Sequence, residues 1–304
     1  MNRHVAVLLG GWSAEREVSL VSGAAVVSAL REQGYRVSAV DVGRNVADVL
    51  SKLKPDVVFN ALHGRFGEDG TIQGMLEILG LPYTHSGVLA SALAMDKPAA
   101  KRLFADAGIP LAEGAVVTRQ DLVKGSPLPQ PYVIKPLNEG SSVGVRIVFA
   151  SDNFMPADDL HWTYGERVLI ERYIPGREIQ VAVMGERALG AVEIRPHGRF
   201  YDYEAKYTAG RAQHLMPAPL ARDVYAEALR LALLAHRTLG CRGVSRADLR
   251  YDDTTGEPGR FALLEINTQP GMTPLSLVPE IAAHQGISFA DLVRWMVEDA
   301  GCDR

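Results

Sequence analysis

The first 87 residues alternate short apolar runs with runs that have the periodicity of amphipathic helices. In chain order these runs are "VAVLLGG", "SLVSGAAVVSALREQG", "RVSAVDV", "PDVVFNALHG" and "TIQGMLEILG". This alternation predicts a parallel sheet, because parallel strands need long crossover connections that are usually helices. The N-terminal part, residues 1–87, is therefore expected to be an α/β domain.

Two further units follow. Residues 88–178 begin with one long helical run, "VLASALAMDKPAAKRLFADAG", and continue with strand-like runs such as "PYVIKP", "GVRIVF" and "RVLIERYI". Residues 179–304 hold more strand-like runs, the long helix "RDVYAEALRLALLAHRTLG" and a closing helix "SFADLVRWMVEDA". The sequence thus predicts three units, with boundaries near residues 87 and 178.

The overall composition favours a globular protein that binds small molecules. The chain has 304 residues, 47% of them hydrophobic, and a net charge of -4, which gives no reason to expect nucleic acid or an anionic membrane as a partner. Its two cysteines, Cys241 and Cys302, are too few for a disulfide framework. With no signal-peptide pattern at the start, we expect a cytoplasmic protein.

The most informative motifs are "SRADLRYD" and "FALLEINTQPGMT". Residues two apart share one face of a strand, so Arg246 and Asp248 point the same way, as do Glu265 and Asn267. If the two strands are neighbours, this face presents oxygen ligands suited to Mg²⁺, which substrate phosphates would complete. The alternative is a structural ion pair between Arg246 and the acids.

Three other segments are weaker signals of a ligand site. "KPLNEGSSVGV" places Lys135 before a glycine-rich loop that either cradles phosphate or forms an ordinary hairpin. "RVLIERYIPGRE" puts Glu171 and Glu178 on either side of a turn between two units, where they line a nucleotide crevice or are simply solvated. The tyrosine-rich "YDYEAKYTAG" either folds over a ligand or covers core.

Two segments of the N-terminal domain carry candidate site residues. In "GGWSAEREVS", Ser13 is expected to cap the next helix, with Glu15 in or near its first turn. In "ALHGRFGEDGTIQG", His63 follows a strand at the sheet edge where open α/β sheets bind ligands. A structural role is the alternative for both Glu15 and His63.

Taken together and in this order, the motifs resemble the D-alanine:D-alanine ligase family of ATP-grasp enzymes. "LLGGWSAEREVSL", "HGRFGEDGTIQG", "KPLNEGSSVG", "YDYEAKY" and "EINTQPGMTPLSLVP" carry the likeness from end to end. The resemblance implies an N-terminal α/β domain followed by two ATP-grasp subdomains that hold ATP between sheets. It also implies ligation of two D-alanines through an acyl phosphate, for peptidoglycan precursor synthesis, by a cytoplasmic homodimer that uses two magnesium or manganese ions.

The resemblance also implies roles for individual residues. Those expected to bind the nucleotide are Lys97, Lys135, Glu171, Ile174, Glu178 and Lys206. Those expected to bind metal are Asp248, Glu265 and Asn267. Those expected to contact D-alanine are Glu15 and His63 for the first molecule and Ser276 and Leu277 for the second. Those expected to act in catalysis are Arg246 and Gly271 at the oxyanion, with Glu15, Ser141 and Tyr207 as a hydrogen-bonded link.

One departure from the family pattern stands beside the metal motif. Arg250 occupies a position where an apolar residue is expected, and we expect it to affect local packing without reaching a ligand. Two other functions stay open. Another ATP-grasp carboxylate-amine ligase would share the lysines and the metal ligands, whereas a non-catalytic nucleotide-binding regulator would have no need of Arg246 beside the metal.

Overall fold

The architecture is described from a computed structural model that covers residues 3–138, 140, 144–152, 165–198 and 210–302. Within these ranges the chain forms a three-stranded sheet and two larger antiparallel sheets, confirming the α/β fold class. None of the helices in the same ranges is long and apolar enough to cross a membrane.

The N-terminal sheet is parallel, as the alternation predicts, with strand order β2-β1-β3. Its elements are β1 His4–Leu9, α1 Arg16–Glu32, β2 Arg36–Asp41, α2 Val46–Leu53, β3 Val57–Asn60 and α3 Thr71–Leu79. Val5 to Leu8 of β1 are fully buried, which is why this strand appears as a continuous apolar run. The loops that carry Glu15 and His63 follow the carboxyl ends of β1 and β3.

The run predicted as one helix after residue 87 is two helices, α4 Val88–Met95 and α5 Lys97–Asp106. The break lies at Asp96, whose side chain accepts a hydrogen bond of 2.9 Å from Ala99 N at the start of α5. Pro98 near the start of α5 has no N–H to continue α4. The break matters because it makes Lys97, buried to 8% exposure, the first residue of α5.

The central sheet is antiparallel with strand order β4-β7-β5-β6. Its elements are β4 Gly114–Thr118, α6 Arg119–Lys124, β5 Tyr132–Lys135, β6 Arg146–Val148 and β7 Arg167–Arg172. Lys135 ends β5, as predicted, and Glu171 lies on the neighbouring strand β7.

The third sheet is antiparallel with strand order β10-β9-β8-β11-β12. Its strands are β8 Arg177–Met184, β9 Arg187–Pro196, β10 Ala212–Leu215, β11 Val244–Asp252 and β12 Arg260–Asn267. The helices of this part are α7 Arg222–Thr238, α8 Leu277–His284 and α9 Phe289–Asp299. One apolar cluster joins β1 and α1 to α8 and α9, so the N-terminal and C-terminal parts share a core. The residue ranges of the three predicted domains stay predictions.

Candidate functional site

The two polar motifs lie side by side in the third sheet. Strands β11 and β12 pair antiparallel, with Arg246 opposite Asn267 and Asp248 opposite Glu265. The residues between them, such as Ala247, face the core and are buried. The predicted pairing of these two strands is therefore confirmed, and one polar face carries all four side chains.

Arg246 and Asp248 form a bidentate ion pair on this face. The guanidinium donates from Nε to Oδ1 over 2.7 Å and from Nη2 to Oδ2 over 2.9 Å. The structural ion pair that was the alternative to a metal site is thus present between Arg246 and Asp248. Both side chains are largely buried, at 12% and 7% exposure, so the carboxylate is held in place beside the guanidinium.

A cavity of about 470 Å³ lies between the central sheet and the third sheet. This volume is in the range of pockets that hold cofactors and drug-sized ligands. The residues predicted to bind nucleotide that line it are Lys97, Lys135, Glu171, Ile174 and Glu178. Asp248 and Glu265, two of the candidate metal ligands, line the same cavity.

Glu171 is the buried charged centre of this cavity, with 1% of its surface exposed. Its carboxylate pairs with the ammonium groups of both Lys101 and Lys135. Burial pushes the pKa of Glu171 upward, but the two lysines together hold it below its usual range. Burial likewise acts to lower the pKa of Lys135, and Glu171 outweighs it and raises that pKa. Both groups therefore stay charged near neutral pH.

A second, smaller cavity of about 60 Å³ adjoins the first. The predicted substrate and oxyanion residues that line it are Glu15, His63, Arg246 and Gly271. Asn267 and Glu68 also face it. Lys97 and Glu265 line both cavities, so the two cavities adjoin beside the candidate metal ligands.

His63 sits in a chain of hydrogen bonds at the small cavity. Its Nδ1 lies 3.1 Å from Glu68 Oε1, and its Nε2 lies 3.2 Å from Ser22 Oγ. Ser22 Oγ also accepts a hydrogen bond from Met272 N over 3.2 Å. These contacts favour the tautomer with the proton on Nδ1, since the carboxylate accepts there and the hydroxyl can donate to Nε2. His63 is thereby linked to the backbone directly after Gly271.

The start of α1 differs from the prediction for Ser13. The helix begins at Arg16, so the capping position belongs to Glu15, and the expectation that Ser13 caps this helix is wrong. Ser13 Oγ instead donates to the carbonyl oxygen of His63 over 2.7 Å and accepts from Glu15 N over 3.2 Å. It therefore ties the loop after β1 to the loop after β3, and the Glu15 side chain turns to the small cavity.

Gly64 and Gly271 leave room for neighbouring side chains near this cavity, those of Glu15 and Ser276. Gly64 has a φ of +68°, and a Cβ there would lie 2.7 Å from Glu15 Oε2. A Cβ at Gly271 would lie 2.7 Å from Ser276 Oγ. Ser276 precedes the first helical residue of α8, Leu277, whose side chain is buried in the core. Because the Leu277 side chain is buried, Leu277 can offer an anionic group its backbone N–H at the helix start. Neither Ser276 nor Leu277 lines the large or the small cavity.

The described part of the chain contains no group of three or more histidine, cysteine, aspartate or glutamate side chains arranged for a metal ion. The predicted metal site has a different composition, with two carboxylates and the amide of Asn267. Oxygen ligands of this kind suit Mg²⁺ or Mn²⁺, and the set is small enough to require phosphate oxygens as further ligands. Asn267 Oδ1 accepts a hydrogen bond of 2.7 Å from Gln269 N, which fixes the amide orientation.

The amino-acid sequence matches two family profiles. The D-ala D-ala ligase C-terminus profile matches residues 103–298, and the D-ala D-ala ligase N-terminus profile matches residues 42–86. The chain belongs to the D-alanine–D-alanine ligase family. This confirms the resemblance drawn from the motifs.

Individual relatives match over their whole length. A D-alanine–D-alanine ligase of Paramagnetospirillum magneticum is 61% identical over 308 residues, with 100% of both chains covered. One of Parvibaculum lavamentivorans is 60% identical over 304 residues, with 99% of both covered. A crystal structure of the D-alanine–D-alanine ligase from Bacillus anthracis complexed with ATP superposes with a TM-score of 0.81 at 30% identity, covering 98% of this chain and 97% of that chain.

Three residues that the family resemblance assigns lie outside the described part of the chain, namely Ser141, Lys206 and Tyr207. Of the tyrosine-rich segment 201–210, only Gly210 is described. Their roles in the ligase stay predictions. Gly140, which precedes Ser141, does line the small cavity.

The structure adds four residues that sequence reasoning missed. Ser22, Glu68 and Lys101 contact residues of the predicted site, and Arg250 lines the large cavity. The expectation that Arg250 reaches no ligand stays a prediction, but Arg250 contacts two of the predicted nucleotide residues, Ile174 and Glu178. The signal was available, because Arg250 is two residues from Asp248 and shares its face of β11. Lys101 had a weaker signal, since it lies one helical turn after Lys97.

Proposed function

We propose that this chain joins two molecules of D-alanine into D-alanyl-D-alanine and converts ATP to ADP and phosphate, as a step in making peptidoglycan precursors. Membership of the family supports an ATP-dependent ligase. The observation that carries the proposal is the junction of the two cavities at Lys97 and Glu265. It allows a nucleotide in the large cavity to direct its terminal phosphate toward an amino acid in the small one.

In this proposal the large cavity binds ATP. Ile174 and the two carboxylates Glu171 and Glu178 face the adenine and ribose, and Lys97 and Lys135 face the phosphates. Glu171 is paired with two lysines and is therefore an ionised hydrogen-bond acceptor. It can accept a hydrogen bond from the adenine base, and Lys135 beside it can face the phosphates. Lys206 is expected to join them.

Asp248, Glu265 and Asn267 would hold magnesium or manganese, with two ions in the complete site. The ions would neutralise charge on the phosphate oxygens. Lys97, whose Nζ is 3.8 Å from Glu265 Oε2, contributes positive charge from the protein at the same place. Negative charge that develops during phosphoryl transfer is thus met by groups already in position.

The reaction has two steps. A carboxylate oxygen of the first D-alanine forms a bond to the γ-phosphorus of ATP while the bond to ADP breaks, which gives an acyl phosphate. The amine of the second D-alanine then attacks the acyl carbon, and the tetrahedral oxyanion is stabilised by Arg246 and the N–H of Gly271. Phosphate leaves as the carbonyl re-forms, the two protons that the ammonium group of the second D-alanine loses go to solvent, and the peptide bond is complete.

The small cavity orients the first D-alanine. Glu15 is a suitable acceptor for its ammonium group, and His63 lies beside it. The second D-alanine would place its carboxylate near Ser276 and the N–H of Leu277 at the start of α8. Ser141 and Tyr207 would complete the hydrogen-bonded link from Glu15 and help to keep water from the acyl phosphate.

The test is ADP release with single amino acids as substrates and identification of the product by mass. We expect ADP and D-alanyl-D-alanine in equal amounts with D-alanine, and little of either with L-alanine. A different amide product would indicate another carboxylate-amine ligase. If the protein binds ATP but releases no ADP with any of the amino acids tested, it is a regulator, and the proposal is overturned.

We also infer a cytoplasmic homodimer, which rests on the family resemblance. Cys241 and Cys302 are both free thiols, which suits a reducing compartment. Sedimentation equilibrium should give twice the chain mass of 33.0 kDa. A single-chain mass across micromolar concentrations would exclude the dimer.

A further inference from the structure

Arg250 makes three contacts with one short segment that lines the large cavity, and a fourth with Glu178 just after it. This segment, residues 173–176, joins β7 of the central sheet to β8 of the third sheet and is called the linker below. Arg250 Nε donates to Ile174 O over 3.1 Å, and Nη2 donates to Gly176 O over 2.7 Å. The guanidinium also lies 5.9 Å from the ring centre of Tyr173, and its Nη1 is 3.7 Å from Glu178 Oε2, just past the linker.

The linker is packed tightly against β11, the strand that carries Arg250. Gly176 has a φ of +84°, and a Cβ there would come within 2.2 Å of Tyr251 O. At the other end, Tyr173 N donates to Pro131 O over 3.2 Å. Between these two anchor points, the guanidinium fork satisfies two linker carbonyl groups at once, which a lysine cannot do with the same geometry.

Arg250 also holds one side of the Glu178 carboxylate. The other oxygen of Glu178, Oε1, accepts a hydrogen bond of 3.1 Å from Gln180 Nε2. A carboxylate contacted from both sides is held in one orientation. Both the linker and Glu178 line the cavity proposed for the nucleotide, so one side chain positions two parts of its wall.

We infer that Arg250 is a positioning residue for ATP, which fixes the linker and Glu178 in the arrangement that receives the base and ribose. This inference rests on the proposed function, because it assigns the large cavity to the nucleotide. Arg250 lies on the far side of Asp248 from Arg246 along β11, away from the small cavity. Its loss should therefore weaken nucleotide binding and leave the chemical step and D-alanine binding unchanged.

The experiment compares Arg250→Met and Arg250→Lys with Arg260→Met, a matched control in an exposed position on the neighbouring strand β12. Initial rates give KM for ATP, KM for D-alanine and kcat, and thermal unfolding gives Tm. For Arg250→Met we expect KM for ATP to rise about tenfold, because two hydrogen bonds from a charged group to the linker are lost and relaxation partly offsets that loss. Both kcat and KM for D-alanine should stay within about twofold of wild type.

Arg250→Lys keeps the charge and loses the fork, so its KM for ATP should lie between those of wild type and Arg250→Met. Arg260→Met should match wild type in every constant. If Arg250→Met does not fold, Arg250→Lys decides the question. A wild-type KM for ATP in the folded Arg250 variants, or a fall in kcat alone, would overturn the inference.

A double-mutant cycle tests the link to Glu178. Arg250→Met and Glu178→Gln should be strongly non-additive in KM for ATP, because each removes a partner of the same pair. Additive effects would overturn the coupling. Failure of the proposed function looks different, since wild type itself would then release no ADP with D-alanine.

Discussion

Lys97 Nζ lies 3.8 Å from Glu265 Oε2, and these two side chains stand where the large and small cavities meet. Lys97 reaches this point because Asp96 ends α4 and starts α5, and Glu265 reaches it from β12. The junction thus brings a cation and a candidate metal ligand to the place where the phosphoryl group passes in the proposed reaction. It is the first place to test.

Replacing Glu265 with glutamine keeps the size of the side chain and removes its negative charge. Because that charge is a proposed metal ligand beside Lys97, ADP production should fall by about two orders of magnitude or more, with Tm close to wild type. The measurement is the rate of ADP release at millimolar magnesium. Glu186→Gln, at a side chain that is 74% exposed in a surface pair, is the matched control. Near-normal turnover in Glu265→Gln would remove Glu265 from the metal site.

Ser22 and Ser19 are both fully buried on α1 and have different partners. Ser22 bridges His63 and Met272 N, whereas Ser19 donates to Ala61 O over 2.7 Å. Ser22→Ala leaves Met272 N–H without its partner and frees His63 on one side, so kcat/KM for D-alanine should fall about tenfold.

Ser19→Ala is the control for this prediction. It removes a buried hydroxyl from the same helix and should lower Tm by a similar amount, but kcat/KM for D-alanine should change little. KM for ATP should stay constant in both variants. Equal losses of kcat/KM in the two would show that the Ser22 bridge has no part in substrate binding.

The buried pairing of Glu171 with Lys101 and Lys135 predicts a large effect on stability. Glu171→Gln leaves two ammonium groups in a buried place without their carboxylate, which should cost about 3 to 5 kcal/mol of unfolding free energy. Urea unfolding at neutral pH measures it. The surface pair of Glu227 and Arg230 gives the comparison, since Glu227→Gln should cost less than about 1 kcal/mol. If Glu171→Gln loses only a small amount of unfolding free energy, water or another group must stabilise the ammonium charges of Lys101 and Lys135.

The sequence predicts the polar face of β11 and β12 well, because side-chain alternation along a strand is a local property. The same rule places Arg250 on the face of β11 that carries Asp248. Arg250 was not predicted as a site residue because an apolar residue was expected at that position. The break at Asp96 also has a local cause in Pro98. The parts that could not be predicted are contacts between distant segments. Lys101 is 70 residues from Glu171 in sequence, and Ser22 is 250 residues from Met272, so their pairing depends on how the sheets pack.

His85 is a buried histidine next to the N-terminal sheet. Its Nδ1 is 3.0 Å from Thr84 Oγ1, its Nε2 has no hydrogen-bond partner, and its ring packs edge-on against Phe59. Burial, together with the charges of His63 and Arg242, lowers the pKa of His85 from 6.5 to about 3. The folded protein therefore keeps His85 neutral at a pH where the unfolded chain protonates it.

The sign of the effect follows from this lowered pKa. Above pH 6.5 both states carry neutral His85, and its contribution to stability is fully present. As the pH falls from 6.5 toward about 3, the unfolded state gains a proton first and this contribution is lost. Between pH 7 and pH 5, His85 alone should remove about 2 kcal/mol of unfolding free energy. His85→Asn suits the local φ of 70°, which asparagine tolerates, and removes the titrating group. Urea unfolding gives the difference in unfolding free energy between pH 7 and pH 5. This difference should be smaller by about 2 kcal/mol in His85→Asn than in wild type. His284→Asn, at an exposed position, should keep the wild-type difference. The same pH dependence in His85→Asn and wild type would show that other groups control acid stability.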